Sequence, residues 1–349
     1  MKQIKTYTLL VLLAFAGISC AWMQAKPEKK VKLKSFHGAT ISFYNVENLF
    51  DTIDDANVID EEFLPDGKLS WNTERYLKKL DHIVEALTLN QTENPMLIGF
   101  AEVENGKVVM DVAKTGRFAQ TKYLLAHKDS PDARGIDCAL LYDSERFKPT
   151  VITNIAVKID SIPDFKTRDI LYVQGELAGK KKLHIFVNHW PSRREGQKES
   201  EHKRIRAAEV ARAKIDEILK ADPKANIILM GDFNDHPTDI SIEQTLKAKA
   251  TTDLTADLIN LLYDDQLAGK GTHSYKGEWG VLDQFIVSST LFKGSKKGLQ
   301  IKDQDATIVY EEILLFTQKD GSKKPSTTYG GPNYYGGYSD HLPITLKLN

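Results

Sequence analysis

Acids, amides and imidazoles gather at five points along the chain, each at the end of a strand-like apolar run. Asn45-Val46-Glu47-Asn48 follows Thr40 to Tyr44, Glu102 follows Met96 to Ala101, and Asn188-His189-Trp190-Pro191-Ser192-Arg193-Arg194 closes the run from Lys182. Gly231-Asp232-Phe233-Asn234 follows Ile227 to Met230, and Tyr338-Ser339-Asp340-His341 opens the run Leu342 to Leu348. A strand end holds a side chain rigidly while leaving it open to solvent, so a scaffold can present reactive groups there. Carboxylates and amide oxygens are hard donors suited to Mg²⁺ or Mn²⁺, and imidazoles change charge near neutral pH. Singly, each group has a plainer use. Asp and Asn after a strand cap turns, which is the default for Asp232 alone, and His341 alone could be a satisfied histidine at a strand start. Glu102 is harder to dismiss, because a carboxylate directly after a buried apolar run needs a partner or a metal.

The elements that must position these groups are visible in the periodicity. Asp137 to Tyr142, Ile170 to Gln174 and Leu282 to Val287 add three further strands. The plainest helices are Asn72 to Leu89, with apolar residues at Leu77, Leu80, Ile83, Val84 and Leu87, and Lys198 to Leu219, rich in Ala, Glu, Lys and Arg. Strands and helices interleave without strict alternation, which predicts an α+β or α/β fold with mixed sheets between helical layers. An acidic loop from Phe50 to Ser70 is long enough to suggest function or mobility, although its spacing fits no Ca²⁺ motif.

The 349 residues, 41% hydrophobic and 27% charged, suffice for a soluble globular protein with a sizeable core. Lys2 and Lys5 precede an apolar run, Leu9 to Ile18, too short to span a membrane. It reads as a signal peptide over residues 1–25 of bacterial lipoprotein type, with lipidation at Cys20; cleavage after Ala25 is the rival. A lysine-rich tether over 26–38 and one domain over 39–349 complete the expected organisation, as a monomer touching a membrane only through that anchor. With Cys138 the only other cysteine, no intramolecular disulfide is expected. A formal charge of −1 excludes a basic whole-protein field, so any grip on phosphate must be local. Arg134, Arg168, Arg193 and Arg194 are the candidates. Paired histidines at helical spacing, the mark of a zinc hydrolase, are missing.

In order and content the motifs resemble those of the endonuclease/exonuclease/phosphatase superfamily, which includes pancreatic deoxyribonuclease, abasic-site endonucleases, neutral sphingomyelinases and inositol polyphosphate phosphatases. The resemblance covers about Thr40 to Asn349. Its most specific parts are Gly231-Asp232-Phe233-Asn234 and Ser339-Asp340-His341-Leu342-Pro343, with Leu282-Asp283-Gln284-Phe285 between them. It implies a four-layered α/β sandwich, two packed mixed sheets flanked by helices, and hydrolysis of phosphate esters with Mg²⁺ or Mn²⁺, Ca²⁺ being an alternative.

The roles it implies divide the motifs. Glu102 matches the metal-binding glutamate, Glu47 stands where abasic-site enzymes use an aspartate beside the metal, and Asn45 matches the amide supporting that shell. Asp340 reaches the metal directly or through water. Asp232 orients or deprotonates the attacking water, Asn234 fixes water and phosphate, and Asp283 holds His341 for a non-bridging oxygen. His189 matches the histidine that stabilises the transition state or leaving group in deoxyribonucleases and sphingomyelinases, and Arg168 resembles a substrate-contacting arginine of deoxyribonucleases.

Departures narrow the substrate. Glu104 stands where abasic-site enzymes carry lysine, and Leu282-Asp283-Gln284-Phe285 replaces the inositol phosphatase signature. Asn188-His189-Trp190-Pro191-Ser192 is similar to extracellular bacterial nucleases, so an exported nuclease or phosphodiesterase, membrane-anchored or secreted, is expected, with nucleic acid as substrate. A sphingomyelinase-type lipid phosphodiesterase, a phosphatase, or a non-catalytic binding protein on the same fold are the alternatives.

Overall fold

Alternation of apolar side chains along the strands decides how this chain is layered. In strand β1 (Ala39–Leu49), Ile41 and Phe43 enter one core cluster while Tyr44 and Val46 enter another. In β8 (Ile227–Asp232), Ile228 and Met230 share the first cluster while Ile227 and Leu229 enter a third. Both strands are therefore buried on two faces, and the first cluster fills the space between two sheets.

The computed structural model describes residues 32–295 and 298–349. Residues 33–349 form a compact unit, whereas the leader run and Cys20 lie outside the described residues. Part of the stretch read as a tether packs on this body: Phe36 is buried and the Lys34 amide donates to the Glu145 carbonyl at 2.7 Å. Among the described residues no helix is long and apolar enough to cross a membrane, and Cys138 is a buried free thiol.

Both large sheets are mixed. The first adds β2 (Leu97–Val103), β3 (Tyr123–His127), β4 (Asp137–Asp143), β14 (Ile301–Ile308) and β19 (Ile344–Leu348) to β1, in the order β14-β19-β1-β2-β4-β3. The second contains β5 (Lys148–Ile155), β6 (Ile170–Leu177), β7 (Lys181–His189), β8, β9 (Ala248–Lys249), β10 (Leu258–Asn260) and β13 (Asp283–Ser288), in the order β5-β6-β7-β8-β13-β10-β9. Parallel pairing of β1 with β2 and of β7 with β8 brings their C-terminal ends to the same edge of each sheet. A Cβ on Gly99 of β2 would lie 2.6 Å from the Met230 Sδ, so glycine permits the close approach of the sheets there.

Helices cover the outer faces. On the first sheet, α1 (Thr73–Thr88) buries Leu80, Ile83, Val84 and Leu87, each worth roughly 1.5–3 kcal/mol. Asn72 caps it by accepting from the Arg75 amide, and Asn105 caps α2 (Gly106–Ala113) in the same manner. On the second sheet, α3 (Gln197–Ala221) presents Ala207, Ala208, Ala211 and Ile215 to the third cluster. The result is the four-layered sandwich of two packed mixed sheets flanked by helices. Small hairpins, β11 (His273–Tyr275) with β12 (Glu278–Gly280), β15 (Leu315–Thr317) with β16 (Lys323–Pro325), and β17 (Tyr329–Gly330) with β18 (Asn333–Tyr334), decorate the later part of the chain.

Candidate active site

Three neighbouring strands of the second sheet place acidic and imidazole groups in one row. Register sets His189 of β7 beside Asp232 of β8, and Asp232 beside Asp283 of β13. All three are buried. Asp232 is gripped from two sides: its Oδ2 accepts from Asn45 Nδ2 at 3.0 Å, its Oδ1 from the Asn234 amide at 2.9 Å. His189 Nε2 lies 3.6 Å from Asp232 Oδ2 and 3.7 Å from Glu102 Oε1, while its Nδ1 is buried without a partner. From β19's leading turn, His341 Nδ1 meets Asp283 Oδ2 at 2.6 Å, and its Nε2 lies 3.8 Å from Asp232 Oδ2 and 4.0 Å from Asp340 Oδ1.

The two histidines are driven apart in charge. Burial holds His189 well below the ordinary imidazole range, and Arg168, Arg134 and His341 push it the same way, so it is neutral near pH 7. Burial also opposes charge on His341, but Asp283, Asp232 and Asp340 outweigh it and raise this histidine well above its usual value. Asp232 is raised by burial, which the charge of His341 opposes.

The first sheet supplies carboxylates from strained backbone. Glu47, Asn48 and Glu102 take left-handed φ values of 52°, 56° and 62°, uncommon for residues other than glycine. Glu102 Oε2 accepts from the Asn48 amide at 3.1 Å, and burial together with nearby Asp340 raises its pKa. Asp340, its side chain 46% exposed, faces the cavity, and among the described residues its nearest cationic partner is His341. Glu47 is engaged elsewhere: its carboxylate accepts from the Thr327 hydroxyl, the Thr328 amide at 2.6 Å and the Tyr329 amide at 3.3 Å. Asn45 likewise links strand ends, its Oδ1 accepting from the Glu47 amide at 3.1 Å.

These groups open onto a cavity of about 800 Å³ whose wall includes Glu102, His189, Asp232, Asn234, Asp340 and His341. Arg134, Arg193 and Arg194 also line it, but the four arginines differ. Arg193 is tied to Asp235 at 2.8 Å, to Asp239 and to the Asn234 carbonyl. Arg168 is buried off the cavity wall, bonded to Asp132 at 3.0 Å and the Trp190 carbonyl at 2.7 Å. Arg194 is exposed, and Arg134, within 3.5 Å of Asp132, is about one-third exposed, so these two guanidinium groups can reach a ligand.

The opposite wall was not foreseen from sequence. His273 on β11 stacks obliquely on His341, ring centroids 4.8 Å apart, and Tyr275, Glu278 and Trp279 of the same hairpin line the cavity. Burial and charged His341 push His273 down to about 4. The available signal was the alternating run Thr272 to Tyr275 turning at Lys276-Gly277. Carboxylates and imidazoles converge within 4.8 Å in His273, Asp340 and His341, and again in Asp232, Asp283 and His341. Because His341 is bound by Asp283 and held charged, both groups act as ion clusters about an imidazolium, and the open oxygen donors are Glu102 and Asp340. A third group, His127, Asp129 and Asp137, is internally satisfied, with His127 Nε2 2.9 Å from Asp137.

The chain belongs to the Endonuclease/Exonuclease/phosphatase family, whose pattern it matches over residues 40–349. Protein angel of Drosophila melanogaster is 26% identical over 244 residues, which are 66% of this chain and 61% of that protein, so the match spans under two thirds of the relative's length. The mannosyl-6-phosphatase of Bacteroides thetaiotaomicron superposes with a TM-score of 0.54 and 13% identity, covering 89% of this chain and 99% of the other. D. rerio TDP2 in complex with a single-strand DNA product gives 0.52 and 15%, covering 89% and 98%. At such identities the solved structures establish the fold.

Proposed function

We propose that this protein is a divalent-metal-dependent phosphodiesterase acting on nucleic acid outside the cytoplasm. One observation carries the chemistry: a doubly gripped Asp232 between a neutral His189 and a cationic His341, on a cavity shared with the carboxylates of Glu102 and Asp340. The donor set fits Mg²⁺ or Mn²⁺, since Glu102 and Asp340 are hard oxygen ligands whose mutual repulsion a divalent ion would relieve. When bound, such an ion neutralises charge gathering on the phosphoryl oxygens.

The chain's own groups do the rest. Asp232 orients and deprotonates the attacking water, its lone pairs fixed by Asn45 and Asn234. His341, held charged by Asp283, binds a non-bridging oxygen, and neutral His189 donates toward the leaving oxygen. Arg134 and Arg194 bind flanking phosphate, whereas Arg168 and Arg193 position the loops that carry Asn234 and Trp190. Asn45 and Glu47 are supports in the same sense. Export rests on the leader run before Cys20, and the nucleic-acid choice on the segment Asn188 to Ser192.

A second reading is a phosphatase on a phosphorylated small molecule, favoured by a cavity of about 800 Å³ with Glu278 on its wall. The purified chain with Mg²⁺ should cleave plasmid DNA, RNA and bis(p-nitrophenyl) phosphate. Hydrolysis of sugar phosphates with intact nucleic acid would instead establish the second reading, and inertness toward all of them would sink both.

A further inference from the structure

We propose that Lys79 is a positioning residue for this site: from α1 it fixes the loop presenting Asp340 and His341 and places an ammonium in the field of Glu102 and Asp340. The inference rests on the metal-dependent reading above.

Lys79 is only 2% exposed, between the apolar neighbours Tyr76, Leu80 and Ile83 of the same helix. A buried ammonium is costly unless it is bonded and balanced, and a helix needing only packing would carry an apolar side chain there. Its Nζ donates to Thr328 Oγ1 at 2.6 Å and to the Tyr338 carbonyl at 2.7 Å. These acceptors lie at the two ends of the loop rich in glycine and tyrosine, and Tyr338 is two residues before Asp340. Glu47 holds the loop's first end through Thr327, Thr328 and Tyr329, so a carboxylate from β1 and an ammonium from α1 grip the same segment. Burial lowers the pKa of Lys79, and the fields of Glu47, Asp340 and Glu102 oppose that shift.

Lys79 is not alone on its helix face. Arg75, Lys79, His82 and Glu85, spaced to share one side of α1, all turn to the loop. The Arg75 guanidinium lies 4.2 Å over the Tyr334 ring. His82 stacks on Tyr338 at 4.2 Å and its Nδ1 meets the Gly337 carbonyl at 3.1 Å. Tyr338 donates to Glu85 at 2.6 Å. The polar stripe converts the helix into a mount for the last catalytic segment. The ammonium also lowers the negative charge felt by an incoming divalent cation, so it loosens metal binding while it orders the loop.

The test compares Lys79→Met, which loses charge and donor, with Lys79→Gln, which keeps a donor, in the full-length chain. Hydrolysis of bis(p-nitrophenyl) phosphate should show kcat down about 10- to 100-fold in Lys79→Met with KM within about 3-fold, and kcat largely restored in Lys79→Gln. Calorimetry with Mg²⁺ alone should show both variants binding about 10-fold more tightly than wild type. A purely structural role would instead weaken kcat, Mg²⁺ affinity and Tm together in both variants, and that result, or a wild-type kcat in Lys79→Met, overturns the proposal. If Lys79→Met does not fold, Thr328→Val, which removes one of the two acceptors of Lys79, decides: kcat about 3-fold lower at unchanged KM supports the mount, and an unchanged kcat overturns it. A wild type that neither hydrolyses the diester nor binds Mg²⁺ removes the metal-dependent reading itself. An active, Mg²⁺-binding wild type with indifferent variants removes only the role of Lys79.

Discussion

The two sheets equip the cavity by different means. The second sheet delivers His189, Asp232 and Asp283 by strand register, so their spacing is fixed by the same ladder hydrogen bonds that tie β7, β8 and β13 into the core. The first sheet delivers Glu102 from left-handed backbone, and its partner Asp340 arrives on a loop clamped between Glu47 and α1. Strained residues cost on the order of 1–3 kcal/mol each and persist only where surroundings over-determine them. The Asp232 row thus sits on adjacent strands of one sheet, whereas the proposed cation side is held by a strained strand end and a clamped loop.

That contrast can be broken in order of size. Asp232→Ala removes the centre of the rigid row and should lower kcat/KM roughly 1000-fold or more while leaving Mg²⁺ affinity within a few fold, as read by steady-state kinetics and calorimetry. A mere few-fold loss would take the attacking water away from this row. Asp283→Asn should cost about 100-fold at neutral pH and shift the alkaline limb of the kcat profile downward, because His341 owes its raised pKa to that carboxylate among others. The linkage sign follows: a histidine raised on folding contributes stability fully below about pH 6.5, its unfolded value, and loses it as pH rises through the folded value. His341→Gln should accordingly destabilise most at pH 6 and least under alkaline conditions, as urea unfolding at both pH values would reveal.

The arginines sharpen the comparison further. Arg168→Ala strips the buried partner from Asp132 and should cost about 3–5 kcal/mol of folding stability, measured by denaturant. Arg194→Ala, at an exposed rim, should leave Tm unchanged and raise KM for DNA about 5-fold, a difference that shrinks at high salt. Equal effects from the two changes would mean that the distinction between buried support and open phosphate ligand is mistaken.

What could be read in the sequence follows the same physics. Strands buried on both faces announced themselves as apolar runs, and all eight runs named from sequence are strands. Of the strands of the two large sheets that escaped, β3, β5, β9 and β14 are sheet edges, where Lys148 to Ile155 or Ile301 to Ile308 bury little and read as polar, and β10 is an interior strand of three residues, too short for a pattern. Helix α2 is too short for a periodic signal. Within the site, residues at strand ends were legible because motif and strand coincide. Arg168 and Glu47 were assigned to ligands, yet their partners, Asp132 and the Thr327–Tyr329 segment, are set by tertiary packing that spacing does not encode. His273 stayed hidden for the converse reason, since only the antiparallel bridge to His341 brings it near. Lys79 looked like any lysine on an amphipathic helix.

The central claim is that Glu102 and Asp340 hold a divalent cation beside the Asp232 row. Its most direct measurement is the Mg²⁺ dependence of diester hydrolysis after exhaustive chelation, for wild type, Glu102→Gln and Asp340→Asn. The expected result is a chelated wild type that is inert and restored by Mg²⁺, with half-saturation moved at least about 10-fold higher in Glu102→Gln and less in Asp340→Asn. Full activity in chelator, or a Glu102→Gln variant with the wild-type Mg²⁺ requirement, would contradict it.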